Sequence, residues 1–293
     1  DNNTAMGYAA LAANTTGYEN TAVGQGALDA NTTGIVNTAV GVGALGSNTT
    51  AARNTAVGKE ALRDNTTGER NTSVGHDSLL VNSTGSYNSA LGQNALAANT
   101  TATHNTGIGY NALASNTTGA ENTALGATAL DANTTGSYNV AVGRHALGAN
   151  TTASYNTAVG DDCLRNNTTG FSNAALGQNT LGNNTTGDGN TAIGYAALLG
   201  NTTQDDNTAV GRVALEQNQG TSNTAVGSNA LTVNTTGVNN TAIGKDAGSS
   251  HTTGGYNTSV GKAALISATT GNNNCALGEA AGCLLYTSDA ADE

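Results

Sequence analysis

The sequence predicts an all-β fold, a parallel β-solenoid or β-roll of about 17 stacked repeats. One observation is a 17-residue consensus, N-T-A-[VIL]-G-x-x-A-L-x-x-N-T-T-G-x-x, which recurs along nearly the whole chain. Another is a composition poor in large side chains, with 40 glycines, no tryptophan and 3% aromatic residues among 293, and with no proline. A repeat with so few apolar groups buries too little surface to fold alone, so we expect neighbouring repeats to stack and complete one another.

Positions are counted from the asparagine that opens each repeat. The spacing between openings is 17 residues, except after Asn207, where it is 16. In this shortened copy we expect an irregular turn within Asn218 to Ser222, with the strands on both sides still in register. The openings are Asn3, Asn20, Asn37, Asn54, Asn71, Asn88, Asn105, Asn122, Asn139, Asn156, Asn173, Asn190, Asn207, Asn223, Asn240, Asn257 and Asn274.

The first element of each repeat, N-T-A-V, is short and β-branched, which predicts a strand in a parallel ladder. Position 4 is always large and apolar, from Met6 to Leu277, and position 9 is leucine in every copy but two, Gly248 and Gly282. We therefore expect positions 4 and 9 to point into the core. Position 5 is always glycine, as expected where the backbone needs a positive φ or where two backbones pass closely.

The second element, G-x-x-A-L-x-x-N-T-T-G, is ambiguous. It is compatible with a second short strand or with a short helical turn that asparagine and glycine close, and we favour a strand, a turn and then a bent second arm. Positions 6, 7, 10, 11, 16 and 17 vary freely and hold most of the charges and tyrosines, so we expect them to face water.

The recurring N-T-A-[VIL]-G, with a glycine-terminated second segment before the next asparagine, resembles the head repeats of trimeric autotransporter adhesins, N-S-V-A-I-G-x-x-S-x-A-x-G. With N-T-T before the glycine, the repeat is also similar to those of phage tail fibres and bacterial surface proteins that precede an endosialidase-type chaperone domain. The resemblance spans Asn3 to Gly282. It implies a left-handed parallel β-roll in which three chains share one interior.

Residues 1–282 are expected to form a single solenoid repeat domain. Because the chain starts inside a repeat, we interpret it as a fragment of a longer protein. The last eleven residues, 283–293, read CLLYTSDAADE and break the pattern abruptly. They match a translation of a transposon adaptor used in preparing sequencing libraries, which predicts an adaptor-derived, non-native tail.

The asparagine at position 12 opens Asn-Thr-Thr or Asn-Ser-Thr in thirteen copies, each formally an N-glycosylation acceptor. The competing interpretation, which we favour, is an asparagine ladder at a coil corner that bonds to the next coil. The thirteen candidates are Asn14, Asn31, Asn48, Asn65, Asn82, Asn99, Asn116, Asn133, Asn150, Asn167, Asn184, Asn201 and Asn234.

No catalytic, cofactor or metal site is expected. His76, His104, His145 and His251 occupy four different repeat positions, so stacking does not gather them into a ligand set. The acidic pairs Asp161-Asp162 and Asp205-Asp206 lie at outward or turn positions, where charge is usually solvated. Cys163, Cys275 and Cys283 follow no pairing pattern, so no disulfide is expected.

The net charge of −11, with only nine Lys and Arg, argues against a nucleic-acid partner, and no apolar run is long enough to insert into a membrane. We expect a structural repeat protein rather than an enzyme: an elongated fibre, spacer or head of a surface adhesin or phage tail fibre, outside the cell, on its surface or on a virion. The expected partners are further copies, as a trimer or fibre, and a cell-surface or glycan receptor. The alternative is a solenoid that binds ice or glycans on its ranks of threonine and asparagine.

Overall fold

A computed structural model describes residues 2–282, and in that part of the chain the only regular elements are 17 strands of three residues, with no helix. The chain divides into two compact units, at 155/156, and the described residues of each form a parallel β-solenoid with one strand per repeat. The predicted fold class is therefore confirmed. The proposed adaptor-derived tail, 283–293, lies outside the described residues.

The first unit has nine strands, and each pairs in parallel with the next through residues 17 apart, as in Thr21↔Thr38. They are β1 (Thr4–Met6), β2 (Thr21–Val23), β3 (Thr38–Val40), β4 (Thr55–Val57), β5 (Thr72–Val74), β6 (Ser89–Leu91), β7 (Thr106–Ile108), β8 (Thr123–Leu125) and β9 (Val140–Val142).

The second unit has eight strands with the same parallel pairing. They are β10 (Thr157–Val159), β11 (Ala174–Leu176), β12 (Thr191–Ile193), β13 (Thr208–Val210), β14 (Thr224–Val226), β15 (Thr241–Ile243), β16 (Thr258–Val260) and β17 (Cys275–Leu277).

The core of a coil is narrow, and in most coils it consists of the alanines at positions 3 and 8 and the leucine at position 9. In one coil these are Ala39, Ala44 and Leu45, all fully buried. The inward leucine is as predicted, but the prediction for position 4 is wrong, since Val40 is 36% exposed. Side chains alternate along a strand, so the buried alanine at position 3 places positions 2 and 4 on the opposite, outer side.

The second arm is bent, and within the described residues it contains neither the second strand nor the helical turn. Its path depends on left-handed backbone at positions 7 and 9, as at Glu60 (φ 57°) and Leu62 (φ 53°), where side chains are normally disfavoured. Backbone bonds still connect neighbouring arms, because Leu45 N donates to Ala61 O at 3.1 Å. Stacking therefore continues through the irregular part of the coil.

The glycine at position 5 has the two roles that the sequence predicts. Gly24 has φ +133°, and a Cβ on it would lie 2.5 Å from the carbonyl oxygen of Gly41 in the next coil. No side chain fits this contact, because the obstacle is backbone and cannot rotate away.

The shortened copy keeps its strands in register, as predicted. β13 and β14 pair through Thr208↔Thr224, only 16 residues apart. The change is confined to the turn, where Asn218 Nδ2 reaches the carbonyl of Gly220 two residues on instead of three. Thr202 Oγ1 there donates to Gln219 Oε1 instead of to a backbone carbonyl.

We expect Gly24→Ala to destabilise the first unit by about 3 kcal/mol or more, because it combines a forbidden backbone angle with a backbone clash. Gly26→Ala is the matched control, since Gly26 has φ +64° and nothing within 4 Å of its Cβ position. Other copies carry side chains there, so its cost should stay below about 1 kcal/mol. Thermal melting followed by circular dichroism measures both, and equal costs would contradict the close-contact explanation.

Candidate binding surface

Two ranks of asparagine, at positions 1 and 12, lie inside the coils and meet at one carbonyl. The oxygen of Gly34 accepts from Asn20 Nδ2 at 2.9 Å and from Asn31 Nδ2 at 3.1 Å. Asn31 Nδ2 also donates to Asn14 Oδ1 at 2.9 Å in the coil before. Asn20 Oδ1 accepts from the backbone N–H of Asn37 at 3.0 Å in the coil after. These bonds recur through each unit, so the predicted asparagine ladder is confirmed.

The candidate glycosylation residues are the position-12 members of this ladder. Twelve of the thirteen are fully buried, and Asn14 is half-buried. The amide nitrogen that would carry a glycan already donates hydrogen bonds, as Asn65 Nδ2 does to Asn48 Oδ1 in the coil before and to Gly68 O in its own coil. Modification therefore stays a prediction, and it would have to precede closure of the coil.

The threonines of N-T-T differ in their surroundings. The first donates its hydroxyl to the next coil, as Thr32 Oγ1 does to Thr49 O at 3.0 Å. The second is exposed, as at Thr33. The first rank of threonine hydroxyls is therefore used in stacking, and the asparagine ranks lie behind it.

The surface left without a partner is the outer strand face, formed by the side chains at positions 2 and 4. Position 2 is mostly threonine, and the hydroxyls of Thr38, Thr55 and Thr72 form no hydrogen bond with any described residue. Position 4 forms an aliphatic column. In the first unit it comprises Met6, Val23, Val40, Val57, Val74, Leu91, Ile108, Leu125 and Val142, and in the second Val159, Leu176, Ile193, Val210, Val226, Ile243, Val260 and Leu277.

This face carries no charge. Every Asp, Glu, Lys and Arg within residues 2–282 lies at position 6, 7, 10, 11, 16 or 17, and none at position 2 or 4. The aliphatic side chains are well exposed, Leu91 by 49% and Leu176 by 52%. Where Ala174 replaces the threonine, the second unit has a shallow apolar depression between Val159, Leu176 and Ile193. A continuous apolar strip of this kind is typical of an interaction surface.

A different exposed column, at position 17, is occupied by stacked planar groups in the first unit. The rings of Tyr87 and His104 stack with centroids 4.9 Å apart, and those of Tyr138 and Tyr155 at 5.1 Å. The guanidinium of Arg70 lies 5.2 Å from the centroid of Tyr87. Each of these contacts covers a ring face, which reduces the area left open for stacking with a sugar.

The histidines do not come together. His76 lies 3.2 Å from the carboxylate of Asp77, His104 stacks on a tyrosine, and His145 Nδ1 is 2.6 Å from Thr128 Oγ1. His251 is buried in the core of the second unit. Among residues 2–282, no group of three or more His, Cys, Asp or Glu is placed to hold a metal ion.

The acidic pairs also serve local contacts. Asp205 Oδ1 accepts the backbone N–H of Asp188 at 2.8 Å, and Asp162 lies 3.6 Å from the guanidinium of Arg165. Cys163 takes the place of the inward alanine, and burial raises the pKa of its thiol to about 12. Cys275, by contrast, is exposed on the outer strand face at position 2.

Comparison with known proteins finds no matching family model and no similar sequence among the curated proteins. The described residues contain no helix with the length and apolar character needed to cross a membrane. The functional argument therefore depends on the outer strand face and on the ladders behind it.

We expect Asn184→Asp to destabilise the second unit by about 3–5 kcal/mol near neutral pH, since it buries an unpaired charge. Asn184 Nδ2 donates to Asn167 Oδ1 and Gly187 O, and its Oδ1 accepts from Asn201 Nδ2. The folded state raises the pKa of such an Asp, so the penalty should shrink as the pH falls through that value.

The adjacent change Asn183→Asp is the matched control for this prediction, because Asn183 is exposed. Its cost should stay within about 0.5 kcal/mol. Protection of second-unit amides from hydrogen exchange measures both variants. A cost for Asn184→Asp no larger than that of its neighbour would show that the ladder contributes little.

Proposed function

We propose that this chain is a structural repeat segment of a surface adhesin or phage tail fibre, working outside the cell or on a virion. In this proposal three copies associate through their outer strand faces. The single observation that carries it is the uncharged aliphatic column at position 4, which a lone chain leaves exposed. The proposal assigns the chain no enzymatic role.

Burial of this column would supply the energy for association. Each repeat adds one Val, Leu, Ile or Met side chain at position 4. Taking such a side chain from full exposure to full burial is worth about 1.5–3 kcal/mol, and association would gain the share still exposed in the single chain, such as the 49% of Leu91. The contribution would be repeated over eight or nine strands in a unit, so self-association does not depend on any single residue. The absence of charged side chains from this surface is also typical of the buried centre of a protein–protein interface.

Three copies are favoured over two by the resemblance of N-T-A-[VIL]-G to adhesin head repeats. Position 4 would then be outward in one chain and inward in the assembly, where the three columns would share an interior. A threefold arrangement presents the same face of each copy to the common axis, which suits a column that repeats in register.

The proposed mechanism is mechanical. Each repeat would extend the stack by about 4.8 Å, so repeat number would set how far the neighbouring parts of the protein are held from the surface. The varied side chains at positions 6, 10, 16 and 17 would remain outside and could make weak contacts with a glycan or cell-surface receptor. Many weak contacts in parallel would give useful attachment through avidity.

A second candidate, binding of ice or a glycan to the threonine ranks, is favoured by the unpaired hydroxyls at position 2. These hydroxyls repeat in register along a face without charges. The asparagine ranks cannot take part, because they are buried. If the protein is a monomer and its solution shows thermal hysteresis, that result would favour this candidate over the trimer.

Light scattering coupled to size exclusion tests the oligomeric state. We expect a mass three times that of the 28.7 kDa chain. A folded monomer at micromolar concentration would overturn the proposal, because the outer strand face would then have no protein partner.

The variant Leu125→Glu tests whether the outer strand face forms the interface. It places a charge in the column, and we expect dissociation to monomers with the β circular dichroism retained, because Leu125 is 45% exposed in the single chain. Ala127→Glu is the matched control, since Ala127 is exposed at position 6 of the same repeat. That variant should remain trimeric, and dissociation of both would argue against this face.

Cys275 offers an independent test, best made with a Cys283→Ser variant. In a parallel, in-register trimer, Cys275 would lie near its counterparts, and mild oxidation should give disulfide-linked dimers independently of dilution. A trimer can pair two of its three thiols, so the linked fraction should reach a plateau at two thirds of the chains. Complete pairing would indicate a dimer, and Cys275→Ser should abolish the product because Cys163 is buried.

A further inference from the structure

The repeat that begins at Asn240 departs from the consensus at two core positions at once. Gly248 replaces the inward leucine of position 9, and His251 replaces the ladder asparagine of position 12. The two changes are spatially coupled. A Cβ on Gly248 would lie 3.2 Å from His251 Nδ1 and 3.0 Å from Leu231 Cδ2, so the imidazole lies in the space next to the missing leucine.

The asparagine ladder of position 12 ends at this substitution, since the next repeat has Ala268 at that position. In a regular coil the position-12 Oδ1 accepts from the next asparagine, as Asn184 Oδ1 does from Asn201 Nδ2 at 3.0 Å. Asn234 Oδ1 has lost that donor and is buried without a hydrogen-bond partner. Both ring nitrogens of His251 are also buried without a partner, and the residue is 1% exposed. Three buried polar atoms are therefore without a hydrogen-bond partner here, two in this coil and one in the coil before it.

No charge lies near the ring to stabilise a proton on it. The preceding repeat, 223–239, contains no ionisable side chain, and the following one, 257–273, contains only Lys262. Lys262 is exposed and paired with Glu279 at 2.8 Å. Within its own repeat, Lys245, Asp246 and Tyr256 occupy outward positions 6, 7 and 17. Burial alone lowers the pKa of His251.

We propose that the repeat 240–256 is an acid-sensitive point in the second unit, where protonation of His251 opens the stack. An imidazolium in this buried position, without a hydrogen-bond partner or counter-charge, would be expelled towards water, and the coil would have to separate from its neighbours to release it. The inference is independent of the oligomeric state, so it survives if the trimer proposal fails.

The direction with pH follows from the two states. The folded histidine stays neutral below the ordinary pKa of about 6.5, whereas the opened coil takes up a proton there. Stability of this coil is fully present above about pH 6.5 and is lost as the pH falls towards the lowered folded pKa. The equilibrium for opening should rise by up to about tenfold per pH unit in that window.

Hydrogen exchange between pH 7.5 and 5.5 tests the proposal on the full chain. The backbone N–H of His251 donates to Gly248 O at 3.0 Å, and the equivalent N–H of Asn184 donates to Leu181 O at 3.1 Å. After correction for the intrinsic pH dependence of exchange, protection of the His251 amide should fall by up to about tenfold per pH unit below 6.5. Protection of the Asn184 amide should not change.

Two variants separate protonation from a merely weak coil. Gly248→Leu combined with His251→Asn restores the consensus and should remove the pH dependence while raising protection at every pH. His251→Phe keeps a ring in the space but cannot be protonated, so it should also be independent of pH. Loss of protection with falling pH in either variant, or no such loss in the unaltered chain, would overturn the proposal.

Discussion

The structure depends on one shared acceptor, the position-15 carbonyl that receives the amides of both asparagine ranks. Because these asparagines lie inside a narrow coil, their amides must find partners, and the carbonyl of Gly34 satisfies two of them. The shortened copy shows that this junction matters more than the length of the turn. There Gly220 O still accepts from Asn207 Nδ2 at 3.0 Å and from Asn218 Nδ2 at 2.6 Å, although one residue is missing.

The backbone of the coil is unusual in a way that stacking has to offset. Positions 7, 9 and 17 have left-handed backbone although they are rarely glycine, as at Glu60, Leu62 and Arg70. Each such residue costs on the order of 1 kcal/mol in isolation. The burial of leucine and the hydrogen bonds between coils offset this cost, so a coil is stable only when it packs against another coil. The leucine at position 9 therefore has a disfavoured backbone angle and is also the largest side chain in the core.

The sequence was sufficient to predict the period, the strand, the role of the glycine and the asparagine ladder, because each depends on a residue type repeated at one place. Position 4 was predicted wrongly, because size and apolarity were given more weight than strand alternation. The threonine at position 2 was the available signal, since positions 2 and 4 share a face and a polar rank rarely lines a dry core. The turn and bent second arm were predicted, but its left-handed backbone at positions such as Glu60 and Leu62 was not, because these angles follow from packing and not from propensity.

The closed coil also has a consequence for a protein under load. A repeat packs seventeen residues into a rise of about 4.8 Å along the stack, whereas the same residues fully extended span about 60 Å. The bonds that hold one coil reach only the coils beside it, as Asn31 reaches Asn14 and Thr32 reaches Thr49. Tension along a unit would therefore pull out coils one at a time, each release supplying slack before the next bond set is strained. Such a chain would lengthen under force in a series of similar steps, and each step would dissipate mechanical energy.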